Sequence, residues 1–260
     1  MRKIILTLLV SLTLFSYAFA LHTDKWNELK SDHFIIYYKH APESFIKEIS
    51  DKSERFYNEI ANELGFNRFD FWLWDNRAKI YIYDDAADYQ KTTGQPKWSG
   101  GAAIPKEKTI YSFLYAQGFS ETVLPHEMGH IIFREFVGFD NYAIPIWLDE
   151  GVASHQQKEK FSMADRVTKE AIENNSFMDL RELTGFNPQL SRENNKIGTF
   201  YLEAFSVVSF LINEFGRDKF VLFCQNLRDK KNFNIALSSS YPFEDIKQLN
   251  EAWVKYLRGK

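Results

Sequence analysis

The chain has 260 residues, 45% of them hydrophobic and 17% aromatic, with a formal net charge of -3 and a pI of about 6.1. That length and apolar content support a sizeable core in one large domain or two small ones. The near-balanced charge excludes the large basic patch that nucleic acid requires, and a single cysteine, Cys224, excludes an intrachain disulfide and argues against a thiolate zinc cage or a cysteine nucleophile.

In chain order, Arg2 and Lys3 form a charged n-region, Ile4 to Phe15 an apolar h-region, and Ala18-Phe19-Ala20 a small-x-small cleavage site. This reads as a secretory signal peptide over residues 1–20. The apolar run is short for a membrane span and no stop-transfer pattern follows, so an uncleaved anchor is the lesser alternative. The expectation is an exported protein, periplasmic or secreted, with no stable membrane insertion after cleavage. Asp32 to Lys39 reads as a strand. Pro42 to Leu64 reads as an amphipathic helix with Phe45, Ile46, Ile49, Phe56, Ile60 and Leu64 on one stripe and Gly65 as its stop. Lys79 to Tyr83 alternates as a strand does, and a short helix is expected around Ala86 to Lys91. The glycine-rich stretch Trp98 to Gly101 precedes two strand-like runs, Ala102 to Ile104 and Thr109 to Tyr115, with Pro105 in the turn between them.

From Ser120 onward the period becomes helical, over about 121–137, 146–160, 163–174, 197–215, 217–229 and 243–258. Breaks fall at Gly138, Pro145, Gly185, Pro188, Gly216 and Pro242. Strands early and helices late predict an α+β fold: a small, mostly antiparallel N-terminal sheet with a helix, then a helical C-terminal half. One domain over residues 21–260 is expected, sheet-rich over 30–118 and helical over 119–260. Cys224, among Phe220, Val221 and Phe223, reads as a buried, inert thiol. The mixed runs Lys106 to Lys108 and Lys158 to Lys160 read as solvated faces.

The chemistry concentrates in HEMGH, His126 to His130. Residues four apart share a helix face, so His126 and His130 can point at one ion, with imidazole nitrogens about 2.0–2.1 Å from zinc. Glu127 is one residue round, beside an open coordination position. Leu124, Met128, Ile131, Ile132 and Phe136 leave this helix few polar faces, and histidines in so apolar a setting need partners. A catalytic zinc site wants a third protein ligand. IPIWLDEGVA, Ile144 to Ala153, offers Glu150 after a turn over Asn141 to Pro145, with Trp147, Leu148 and Val152 packing the other side of the second helix.

HEMGH followed by WLDEG resembles the gluzincin metallopeptidases, the thermolysin-like group, and the WLxEGxA context is similar to the peptidase MA-like families. The resemblance covers roughly residues 30–258, most specifically 120–155. It implies a zincin-like fold with one zinc ion per chain, held by His126, His130 and Glu150. It also implies hydrolysis of a peptide or protein substrate through a zinc-activated water, with Glu127 as general base. Tyr201 is the candidate oxyanion donor, although Tyr201, Phe205 and Val208 also follow core spacing. The acidic residue expected four positions after the glutamate ligand is Ser154 here, and Asp149 is expected to point elsewhere. His155 reads as surface, and His22, His33 and His40, which show no partner pattern, as ordinary exposed or edge residues. An extended peptide is expected along a strand edge, with Thr109 to Tyr115 the candidate edge. Two other readings stay open: a catalytically inactive metal-binding protein of the same fold, and a zinc hydrolase of a non-peptide amide or ester. The same ligands would also take cobalt or nickel.

Overall fold

Alternation along the early strands places two different rows of side chains across one sheet. In the computed structural model, which describes residues 25–66, 72–97, 99–157, 159 and 161–260, five strands run in the order β1-β2-β3-β5-β4. They are β1 Asn27–Lys30, β2 Phe34–Tyr38, β3 Ala78–Tyr83, β4 Gly101–Ile104 and β5 Thr109–Phe113. Ile36, Ile80 and Ile110 stand in register across β2, β3 and β5 and are fully buried. The next residues along, Tyr37, Tyr81 and Tyr111, form a row on the opposite face, with ring centroids 4.7 and 5.4 Å apart. A two-residue period alone produces both rows.

The α+β order is as expected, since the sheet is complete by Phe113 and the chain is helical afterwards. The sheet is mixed rather than mostly antiparallel. β2, β3 and β5 are parallel, and only β1 and β4 pair antiparallel, at the two edges. The reason is α1, Glu43–Glu63, which lies in sequence between β2 and β3 and serves as the crossover a parallel pair needs. The apolar stripe of α1 then buries Ile46, Ile49 and Ile60 in the main core. The short helix α2, Ala86–Thr93, is closed at both ends by local chemistry: Asp85 accepts the Asp88 N–H, and Gly94 takes the left-handed conformation.

The helical half begins with a π-helical turn, Phe119–Val123, that runs into α3, Leu124–Val137. After a loop come α4 Ile146–His155, α5 Ala164–Glu173, α6 Leu180–Gly185, α7 Asn194–Phe215, α8 Arg217–Lys230, α9 Phe233–Ser240 and α10 Ile246–Gly259. The expected helix over 146–160 thus ends at His155. Helices α6 and α9 and strand β1 were not anticipated. α6 and α9 are short and owe their starts to the side-chain caps Asp179 and Asn232. β1 is polar, NELK, and is held by its backbone pairing to β2.

Met128, Ile131 and Ile132 of α3 are fully buried, as are Trp147, Leu148 and Val152 of α4. Cys224 is buried among the α8 core residues, and that burial pushes its thiol pKa well up. Lys108 is not on a solvated face: it is largely buried and pairs with Glu135 at 3.1 Å. Among the described residues no helix is long and apolar enough to cross a membrane. The segment read as a signal peptide, His22, Trp98, Lys158 and Lys160 lie outside the described residues.

Candidate metal centre

Two glycines let three helices approach closely enough to build a site. A Cβ on Gly129, inside HEMGH, would lie 2.9 Å from Ala153 Cα of α4. A Cβ on Gly151, next to Glu150, would overlap the Ala204 carbonyl oxygen of α7 and lie 2.7 Å from Val208 Cγ2. The absence of these two β-carbons therefore stacks α4 between α3 and α7 and sets how far Glu150 reaches over the α3 face.

The result is a convergence of three ligand atoms. His126 Nε2 and His130 Nε2 are 3.2 Å apart, and each is 3.5 Å from Glu150 Oε2. A tetrahedral ion with bonds of about 2.0–2.2 Å holds its ligand atoms about 3.3–3.5 Å from one another. The three separations match that triangle. Glu150 Oε2 is buried and makes no hydrogen bond to a described residue, which fits an oxygen reserved for a cation. Burial would raise the Glu150 carboxyl, but the adjacent His130 and His126 outweigh it and hold the group well below the usual carboxylate range. The donor set of two imidazoles and one carboxylate suits zinc.

Asp149 corrects the sequence expectation. Its Oδ1 lies 3.1 Å from His130 Nδ1, so it fixes the orientation of that ring from behind. Arg134, one turn further along α3, donates from Nε to Asp149 Oδ2 at 2.8 Å. Desolvation works against the Asp149 charge, and His130 and Arg134 more than offset it, so its carboxyl stays below its ordinary value. His126 has no equivalent: its Nδ1 is buried without a hydrogen-bond partner among the described residues. Ser154, where the resemblance calls for an acid, is fully buried and its hydroxyl is likewise unbonded.

Glu127 follows His126 on α3. Tyr201 lies on α7, and burial first, then the negative charges of Glu150 and Glu127, push its hydroxyl pKa well up. His126 and His130 of α3 and Glu150 of α4 are thus brought together in one cluster that could hold a metal ion. The other described histidines stand apart, and one, His155, needs correction. His155 is buried against Phe205, with ring centroids 5.7 Å apart, and lies 3.7 Å from Glu63. His33 pairs with Glu54 at 2.6 Å, and His40 with Asp84 at 2.7 Å.

The candidate peptide edge is corrected too. Thr109–Phe113 is interior, covered by β4, and the free edge beside α3 is β4 itself, Gly101–Ile104. A hairpin in sequence does not reveal which of its strands lies outermost.

A family model described as the peptidase MA superfamily matches residues 74–259, the greater part of the chain. No curated protein matches the chain.

Proposed function

The chain belongs to the peptidase MA superfamily, and from that membership we propose that it is an exported, zinc-dependent peptidase. The observation that carries this reading is the triangle of His126, His130 and Glu150 atoms with separations of 3.2, 3.5 and 3.5 Å. A zinc ion held there would supply the Lewis acidity that polarises a scissile carbonyl and acidifies a water.

The remaining work falls to this chain's own side chains. The β4 edge, Gly101–Ile104, pairs with an extended substrate backbone and lays it across the open face of the site. Glu127 takes a proton from the attacking water and returns it to the leaving amine. Tyr201 keeps its proton at neutral pH, because burial and two nearby carboxylates disfavour the phenolate. It therefore acts as a hydrogen-bond donor to the developing oxyanion. Asp149 holds His130 in register. The segment over residues 1–20 sends the enzyme to the periplasm or the medium.

The test is kinetic. Zinc-loaded protein should cleave members of a mixed peptide library. Glu127→Gln should keep its zinc and lose on the order of 10²–10⁴-fold in rate, and Tyr201→Phe should lose about 10²-fold or more with metal content unchanged. A Glu127→Gln protein as active as wild type would remove the general base from the account.

A further inference from the structure

The free edge strand β4 is entered through two consecutive glycines, Gly100 and Gly101. A Cβ on Gly101 would lie 2.8 Å from Val123 Cγ1 and 3.2 Å from the Tyr111 carbonyl oxygen. Close packing therefore demands glycine there. Glycine is also the residue whose backbone is least restrained by its own chemistry, so the entry to β4 must be fixed from outside.

Hydroxyl groups of neighbouring segments fix it. Ser112 of β5 donates to the Gly100 carbonyl at 2.6 Å, and Ser99 donates to the Gly101 carbonyl at 2.9 Å. Behind Ser99 stands Tyr89 of α2, with its hydroxyl 2.8 Å from Ser99 Oγ. Tyr89 and Ser112 are fully buried and Ser99 is 6% exposed. A serine hydroxyl carries one proton, and that of Ser99 goes to Gly101, so the Tyr89 hydroxyl donates to Ser99.

Given the peptidase reading, on which this inference rests, we propose that Ser99 and Tyr89 are positioning residues for the substrate. They hold β4 in its pairing geometry before a peptide arrives. The clamp adjoins the metal-centre helix: β4 packs against α3, and Val123, which meets Gly101, immediately precedes that helix. Burial above all, assisted by the charge of Glu127 and opposed by the Ser99 hydrogen bond, holds the Tyr89 hydroxyl above its ordinary pKa. Tyr89 thus keeps at neutral pH the proton that the clamp uses. An edge strand already in its paired geometry loses little freedom when a peptide binds, whereas a loose one loses affinity to ordering. That loss falls equally on bound substrate and transition state, so it raises KM and leaves kcat unchanged.

The experiment uses the zinc-loaded full chain and one peptide that wild type cleaves in a mixed library. Ser99→Ala and Tyr89→Phe should each raise KM about fivefold or more while kcat stays within about twofold and zinc content is unchanged. The double variant should be no worse than Ser99→Ala, because Tyr89 acts through Ser99. Hydrogen exchange without substrate is the second readout. The β4 amides that pair with β5 should exchange faster in Ser99→Ala, while α3 keeps its wild-type protection. An unchanged KM or an unchanged β4 exchange overturns the proposal. So does a loss that extends to α3 protection or zinc content, which would be a general weakening of the fold. The peptidase reading is judged apart from this: if Glu127→Gln abolishes the cleavage, that reading stands whatever Ser99 does. No cleavage of any peptide by zinc-loaded wild type overturns the peptidase reading and the substrate role of the clamp with it.

Discussion

Asp149 sits between an imidazole and a guanidinium, 3.1 Å from His130 Nδ1 and 2.8 Å from Arg134 Nε. With no counterpart behind His126 among the described residues, the orientation of the His126–His130–Glu150 cluster leans on this one carboxylate. Asp149→Ala should weaken zinc binding about 10- to 100-fold. Competition with a chromogenic chelator measures this; unchanged affinity would show that the His130 ring is held by packing alone. Glu203 of α7 offers a second residue-scale test away from the metal. It is fully buried and accepts the Met178 N–H with both oxygens at 3.1 Å. Burial raises its pKa to about 8, opposed by the Met178 amide and assisted by Glu182, from an ordinary 4.5. Between those two pH values the folded carboxyl holds a proton that the unfolded chain has released. Stability from this group is therefore full below the lower value and lost as pH rises through the upper one. Glu203→Gln should change little at pH 4 and become relatively more stable at pH 9. Parallel urea curves for the two proteins across that range would contradict the assignment.

At the scale of elements, the site depends on how closely α4 lies against α3 and α7. Gly151→Ala places a methyl against the Ala204 carbonyl and Val208. Because the opposing atoms include helix backbone, the helices must part, with a cost of about 1–3 kcal/mol or more. Glu150 moves with them, so the variant should lose both thermal stability and zinc affinity. A variant that melts like wild type and binds zinc normally would show that α7 does not set the position of Glu150. The same packing explains what was readable from sequence. The cluster of His126, His130 and Glu150 was legible because the two histidines are related by one helical turn and Glu150 follows a recognisable loop. Asp149 was not. Which flank of α4 meets His130 depends on the crossing of two helices at Gly129 and Ala153, and no local period encodes it. Likewise, strand periodicity locates β4 and β5 but not their lateral order, so it does not reveal that β4 is the edge. Strand β1 carried no hydrophobic signal, and α6 and α9 were too short for a helical period to emerge.

For the whole molecule, the family match begins at residue 74, yet β1, β2 and α1 precede it and complete the same sheet and core. Phe66, just after α1, stacks on Phe136 of the metal-centre helix with ring centroids 3.9 Å apart. The N-terminal elements therefore pack directly against α3, the helix that carries His126 and His130. Strands first and helices second placed this architecture correctly in outline. The parallel centre of the sheet was hidden because one helix, α1, interrupts the strand series and acts as a crossover. In the proposed enzyme α3 and α4 together hold one metal ion. The most direct test is elemental analysis of the purified full chain, wild type beside Glu150→Ala, after zinc is supplied at neutral pH and excess is removed. The account predicts about one zinc per chain in wild type and little or none in the variant. Wild-type protein that retains no metal, or a variant that retains as much as wild type, would contradict it.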